Sequence, residues 1–154
     1  MARAHEHLRT ADYVRLLAFR IGLRRFLRWS EHQAASVGLT SAQHQLLLAI
    51  RGHPDPRGPS VGELASYLCT RHHSAVQLID RAEQLGLVSR NREDDQDRRV
   101  VRLTLTGAGE EKLNLLSASH LEELRRLAPL VDALVEPTGT TVVGGPAGVD
   151  PVGT

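Results

Sequence analysis

The hydrophobic period of this chain changes twice, and that change limits its fold more than any other feature. Up to Gln84 the apolar side chains recur at helical spacing. Gly86 breaks the pattern. Over residues 99–105 the period is two: Val101, Leu103 and Leu105 fall on one side, Arg102 and Thr104 on the other. From Thr106 helical spacing resumes. Alternation over so short a run marks a half-buried strand. Leu87-Val88-Ser89-Arg90 is its expected partner, across a polar turn from Asn91 to Asp97. A lone two-stranded hairpin has too little apolar surface to stand in water, so helices must cover it. The expected class is mainly α with a small β-hairpin.

The helices can be bounded from their ends. Residues 10–37 read as one long helix with Tyr13, Leu16, Leu17, Ile21, Leu23, Phe26 and Leu27, too many for a single narrow stripe. Such a helix is buried on more than one side, and a partner subunit is the simplest cover. Arg20, Arg24, Arg25 and Arg28 run along its remaining face. Thr40-Ser41-Ala42-Gln43 and Ser60-Val61-Gly62-Glu63 both have capping-box spacing, and each opens a helix. Leu46, Leu47, Ala49 and Ile50 supply the buried side of the first. Leu64, Ala65 and Leu68 point inward from the second. After a turn at Cys69-Thr70, a fourth helix runs from about Arg71 to Gln84 with Ala75, Leu78, Ile79 and Ala82 inward, and Gly86 suits a left-handed cap. Thr106 can cap the last helix. There Leu113, Leu116, His120, Leu124, Leu127, Val131 and Leu134 form a packing seam, and Pro129 is expected to kink that helix or begin a new one.

The folded part is expected over residues 8–136. Residues 10–37 and 107–135 would be the flanking helices, and residues 40–106 the lobe between them. Residues 137–154 hold five Gly and three Pro and read as a disordered tail.

Charge is nearly balanced, 19 basic residues against 18 acidic, so any polyanion must be met by a local patch. Residues 1–57 hold nine Arg against four acids, whereas residues 103–136 hold three basic residues against six acids. One cysteine, Cys69, leaves no disulfide framework and no Cys-rich zinc site. No apolar run is long enough to span a bilayer and no apolar leader follows the N-terminus, so a cytoplasmic location is expected.

A short helix bracing a second helix with a polar, basic outer face, followed by a hairpin tipped with arginines, is a winged helix-turn-helix arrangement. The second helix fits the DNA major groove, and its side chains can read base edges. Arg71, His72, His73, Ser74, Gln77 and Arg81 lie on that outer face and are the candidate DNA-binding set. Arg98 and Arg99 at the hairpin are candidates for a phosphate or the minor groove. Asp97 can hold Arg99 extended by a charge-assisted hydrogen bond.

The stretch from Glu63 to Gly109 resembles the MarR family of bacterial transcription regulators. The resemblance is carried by Glu63-Leu64-Ala65, Asp80-Arg81, Gly86-Leu87-Val88, Asp97-Arg98-Arg99, and Leu103-Thr104-Leu105-Thr106 followed by Gly109. It implies a homodimer with intertwined first and last helices, docking on a pseudo-palindromic operator in double-stranded DNA. It also implies a repressor released by a small molecule, often aromatic, or by an oxidant. Where family members commonly carry Ser-Pro-Ser-Thr this chain has Arg71-His72-His73-Ser74, so no operator sequence is carried over.

Adjacent histidines on a helix point about 100 degrees apart, so His72 and His73 do not share one ion easily, and neither metal nor cofactor is expected. His120 is either a hydrogen-bonded core histidine or a polar wall of an effector pocket. Cys69 is either a packing group or a redox switch beside a helix start and Arg71, which leaves a redox-responsive regulator as an alternative. A protein-interaction module without DNA binding would need acidic or apolar residues on the outer face, which is basic here. No Gly-x-Ser-x-Gly elbow, phosphate loop or His-Glu-x-x-His is present, and no enzyme is expected.

Overall fold

The chain punctuates its helices with side-chain caps, and the fold follows from where they lie. In the computed structural model, which describes residues 7–92 and 100–136, the order is α1 (Thr10–Ser36), α2 (Ser41–Arg51), α3 (Val61–Tyr67), α4 (His72–Gln84), β1 (Val88–Arg92), β2 (Val101–Leu105) and α5 (Gly107–Val135). Both capping boxes form. The Thr40 N–H donates to Gln43 Oε1 at 3.0 Å and the Gln43 N–H to Thr40 Oγ1 at 3.2 Å. The Ser60 N–H donates to Glu63 Oε2 at 2.8 Å and the Glu63 N–H to Ser60 Oγ at 3.2 Å. Thr106 starts α5 by accepting from the Gly109 N–H at 3.1 Å. Gly86 has φ +71°, and the Leu87 N–H closes α4 by donating to the Ala82 carbonyl at 2.9 Å.

The hairpin is antiparallel, with Val88 opposite Leu105 and Arg92 opposite Val101. It carries the expected alternation: Leu103 is fully buried, and Val101 and Leu105 pack on the same core. That core joins Leu46, Leu47 and Ile50 of α2, Leu64 of α3, Ile79 and Ala82 of α4, and Leu113 and Leu116 of α5. β1 reaches two residues further than the expected Leu87–Arg90, because Asn91 and Arg92 still pair with Arg102 and Val101.

For α5 one expectation is narrowed and one corrected. Of a kink or a new helix at Pro129, the new helix is excluded, since α5 runs through it to Val135. The seam also divides. Leu113, Leu116 and His120 are buried, but Leu124 and Val131 are 44% and 42% exposed. Glu123 and Leu130 turn inward in their place and are half-buried. Helical spacing admits a step of three or four at each turn, so the sequence pattern leaves two adjacent rows undecided. The α1 crossing decides between them: Gly22 sits against Leu127 and Leu130. The remaining row of Leu121, Leu124, Ala128, Val131 and Val135, spaced 3-4-3-4, stays exposed in one chain. On α1, Leu23 and Phe26 are half-buried while Tyr13, Val14, Leu16, Leu17 and Leu27 are exposed.

Candidate nucleic-acid interface

The outer face of α4 is set by what its inner face must bury. Ala75, Ile79 and Ala82 are buried against the core. Rotation at helical period then turns His72, His73, Gln77 and Arg81 outward, and all four are exposed, as is Arg71 at the N-cap. Ser74 is half-buried at the edge of the same face. The N-termini of α2, α3 and α5 receive side-chain caps, whereas Arg71 gives α4 none. The first N–H groups of α4 are therefore open on the face that carries Arg71 and His72, where the positive end of the helix favours an anion.

Arg90 on β1 ties the hairpin to this helix by bonding both Asp80 and Glu83. The bond to Asp80, then the Glu83 charge, raises the Arg90 guanidinium above its ordinary value. The clamp also occupies two carboxylates of α4 that would otherwise repel a polyanion. Arg102 ties the other strand down. It bonds the Gly58 carbonyl at 3.1 Å and lies 3.9 Å from Glu63. His53 completes that joint: its side chain is 6% exposed, with Nδ1 2.8 Å from the Tyr67 hydroxyl and Nε2 3.8 Å from Glu63. The Ser60 N–H is the main cause holding the Glu63 carboxyl below its usual range. Nearby, the bonds from Arg57 hold Asp55 far below the carboxylate range. The wing strands are thus attached to α3 and α4 by charged groups at both edges.

Asp97, Arg98 and Arg99 lie outside the described residues. In the sequence Arg92 falls within the expected turn and is not among the candidates. It ends the described part of β1, is exposed, and forms no ion pair among the described residues. The hint was Arg90 and Arg92 at period two, continuing the strand.

The remaining candidates lie elsewhere. Cys69 is exposed, in the turn that enters α4, with a left-handed φ of +49°. His120 is buried where α1, α2 and α5 meet. Its Nδ1 is 2.8 Å from the Leu116 carbonyl and its Nε2 2.8 Å from Ser30 Oγ. Its ring lies against Trp29, Phe26 and His44, so it packs among rings. Among the described residues no group of three or more His, Cys, Asp or Glu is placed to hold a metal, and no helix is long and apolar enough to cross a membrane.

Comparison with known proteins bears on this arrangement. The model of the MarR family matches residues 37–100. Solved structures share the fold. AbsC, a MarR family transcriptional regulator from Streptomyces coelicolor, superposes with TM-score 0.65 at 21% identity, over 79% of this chain and 81% of that one. The YusO protein of Bacillus subtilis does so with TM-score 0.57 at 24% identity, over 72% and 76%. A mutant of Staphylococcus aureus MepR bound to an oligodeoxyribonucleotide does so with TM-score 0.60 at 19% identity, over 79% and 84%. No curated protein matches the chain by sequence.

Proposed function

This chain belongs to the MarR family of winged helix-turn-helix transcription regulators, and from that premise we propose that it is a homodimeric, sequence-specific repressor that sits on a near-palindromic operator. The observation that carries the reading is the outer face of α4. Arg71, His72, His73, Gln77 and Arg81 are exposed together on the side opposite a wholly apolar inner face. Those side chains donate to base acceptors and phosphates. In this reading His73, Ser74 and Gln77 touch base edges, while Arg71, Arg92, Arg98 and Arg99 meet phosphate or the minor groove, with Asp97 steadying Arg99.

A dimer is supported by the apolar row on α5 and the apolar side chains on α1 that one chain leaves in water. A second copy covers both at once, and two-fold symmetry presents two α4 helices to one face of the duplex. Release by a small aromatic molecule fits the same reading. One cavity, of about 370 Å³, lies between the end of α2, the 53–58 loop and β2, and Arg51, His53, Ile50 and Leu103 line part of it. Its size is at the small end of ligand sites.

The test is selection of a binding site from a pool of random duplexes. The expected product has two inverted half-sites about one helical turn, roughly 10 bp, apart. Inserting 5 bp between them puts the half-sites on opposite faces and should abolish tight binding. Failure to enrich any site, or unchanged affinity for the spaced site, contradicts the proposal.

A further inference from the structure

Arg90 sits between two carboxylates of α4, donating to Asp80 from one guanidinium nitrogen and to Glu83 from the other. Its direction follows from the strand. Side chains alternate along β1, so Arg90 shares a face with buried Val88 and, toward the tip, with exposed Arg92. Val88 uses that face to reach the core. Two residues on, Arg90 reaches α4 instead. Asp80 comes seven residues after His73 and three after Gln77, so it falls in one row of α4 with those two outward side chains. Glu83, three residues further, bonds the same arginine.

This tie is not what keeps the hairpin in place. Leu103 is fully buried, Val88 is buried, and Val101 and Leu105 pack on the same core. The Leu103 N–H bonds the Pro59 carbonyl at 2.9 Å and Ser60 bridges to Arg102, so the chain at residues 59–60 holds β2 along its outer edge. By side chain, Arg90 is 29% exposed, Asp80 48% and Glu83 41%. Ion pairs so open to water add little to stability. Charge at the DNA face is another matter. Without Arg90, α4 carries two bare carboxylates, one of them in the row of His73 and Gln77, and the phosphates of a duplex repel both.

We infer that Arg90 is the residue that makes α4 acceptable to DNA, and that it acts through Asp80 and Glu83 by covering their charge, not by holding the wing. One guanidinium against two carboxylates leaves a single net negative charge; removing Arg90 leaves two. The repulsion it prevents falls on phosphates, so the effect is the same for every DNA sequence, unlike that of Gln77. The inference rests on the reading of α4 as the DNA-binding helix.

The experiment is an anisotropy titration against the duplex selected from the random pool and against a scrambled duplex, at about 50 and 200 mM salt. Circular dichroism checks that each variant is folded. Arg90→Met keeps the aliphatic stem and drops the charge. It should weaken binding to both duplexes alike, by about tenfold at the lower salt, and the loss should narrow at the higher salt as screening tightens. Arg90→Met combined with Asp80→Asn has no clamp but the same local charge as the parent, and should bind within about threefold of it. If Arg90→Met does not fold, Asp80→Asn alone decides. It leaves Arg90 to Glu83, removes the net negative charge, and should bind both duplexes more tightly than the parent; unchanged or weaker binding overturns the inference. So does an Arg90→Met protein that binds as the parent does, a loss confined to the selected duplex, or a loss that Asp80→Asn does not repair. A parent that binds neither duplex fails the reading of α4 itself, and the inference with it.

Discussion

Gly22 of α1 lies so close to Leu130 of α5 that a Cβ at residue 22 would stand 2.6 Å from the Leu130 Cδ1. Glycine inside a helix costs about 1 kcal/mol relative to alanine, and here it lets two long helices approach. Gly22→Ala meets two methyls, the Leu130 Cδ1 and, at 3.1 Å, the Leu127 Cδ2, both at the ends of flexible side chains, so the helix gain and the steric cost should nearly cancel. Gly22→Leu overfills the crossing and should cost about 1–3 kcal/mol. Thermal melts of both variants check this; a Gly22→Leu protein as stable as the parent would contradict it.

Gly58 is a stricter case. Its φ is +94°, and a Cβ there would lie 1.9 Å from the Leu103 carbonyl oxygen. That atom is backbone, and the adjacent Leu103 N–H bonds the Pro59 carbonyl at 2.9 Å, so neither strand nor loop has room to yield. Gly58→Ala should cost about 3 kcal/mol or more in urea denaturation, because strain and the loss of the wing anchor act together.

Leu124 separates protomer stability from assembly. It is 44% exposed in one chain, so Leu124→Glu should leave the folded protomer within about 0.5 kcal/mol of the parent. Across a dimer interface the same carboxylate would be buried without a partner. Sedimentation should find the parent dimeric at micromolar concentration and Leu124→Glu monomeric with unchanged circular dichroism. A monomeric parent contradicts the prediction.

Stability should fall in acid through His44. Its pKa is lowered from 6.5, chiefly by burial. Below 6.5 the unfolded chain therefore binds a proton that the native state refuses. The contribution is complete above pH 6.5 and is lost as pH falls from there towards the depressed native value. The slope from this group is at most about 1.4 kcal/mol per pH unit. Urea denaturation at pH 7.5, 6.5 and 5.5 measures it, and His44→Gln should flatten the profile.

What was legible in the sequence was local chemistry. Thr40 with Gln43, and Ser60 with Glu63, mark helix starts because each pair satisfies its own backbone donors three residues apart. Leu103 marks the buried strand face by alternation alone. Gly109 stands in the sequence only as part of a motif; its reason is tertiary, since a Cβ there would lie 2.1 Å from the Leu87 carbonyl oxygen. The choice between Glu123 and Leu124 as the inward residue depends on where α1 crosses, which spacing along α5 does not encode. Nothing local marks His44 as a core residue beside the aliphatic residues of α2. It shares a helix face with Leu47, but its ring partner lies 76 positions along the chain, beyond the reach of any local pattern.

The central claim is that α4 reads DNA bases, and Gln77 tests it most directly. It is exposed on the outer face, opposite Ile79 and Ala82, and its amide can pair with adenine. The measurement is an anisotropy titration of the parent and Gln77→Ala against the selected duplex and a scrambled duplex, at two salt concentrations. The parent should prefer the selected site by about a thousandfold or more. Gln77→Ala should lose about 1–3 kcal/mol on that site and little on the scrambled one. A parent with no preference, or equal losses on both duplexes, would contradict the assignment of α4 as the reading helix.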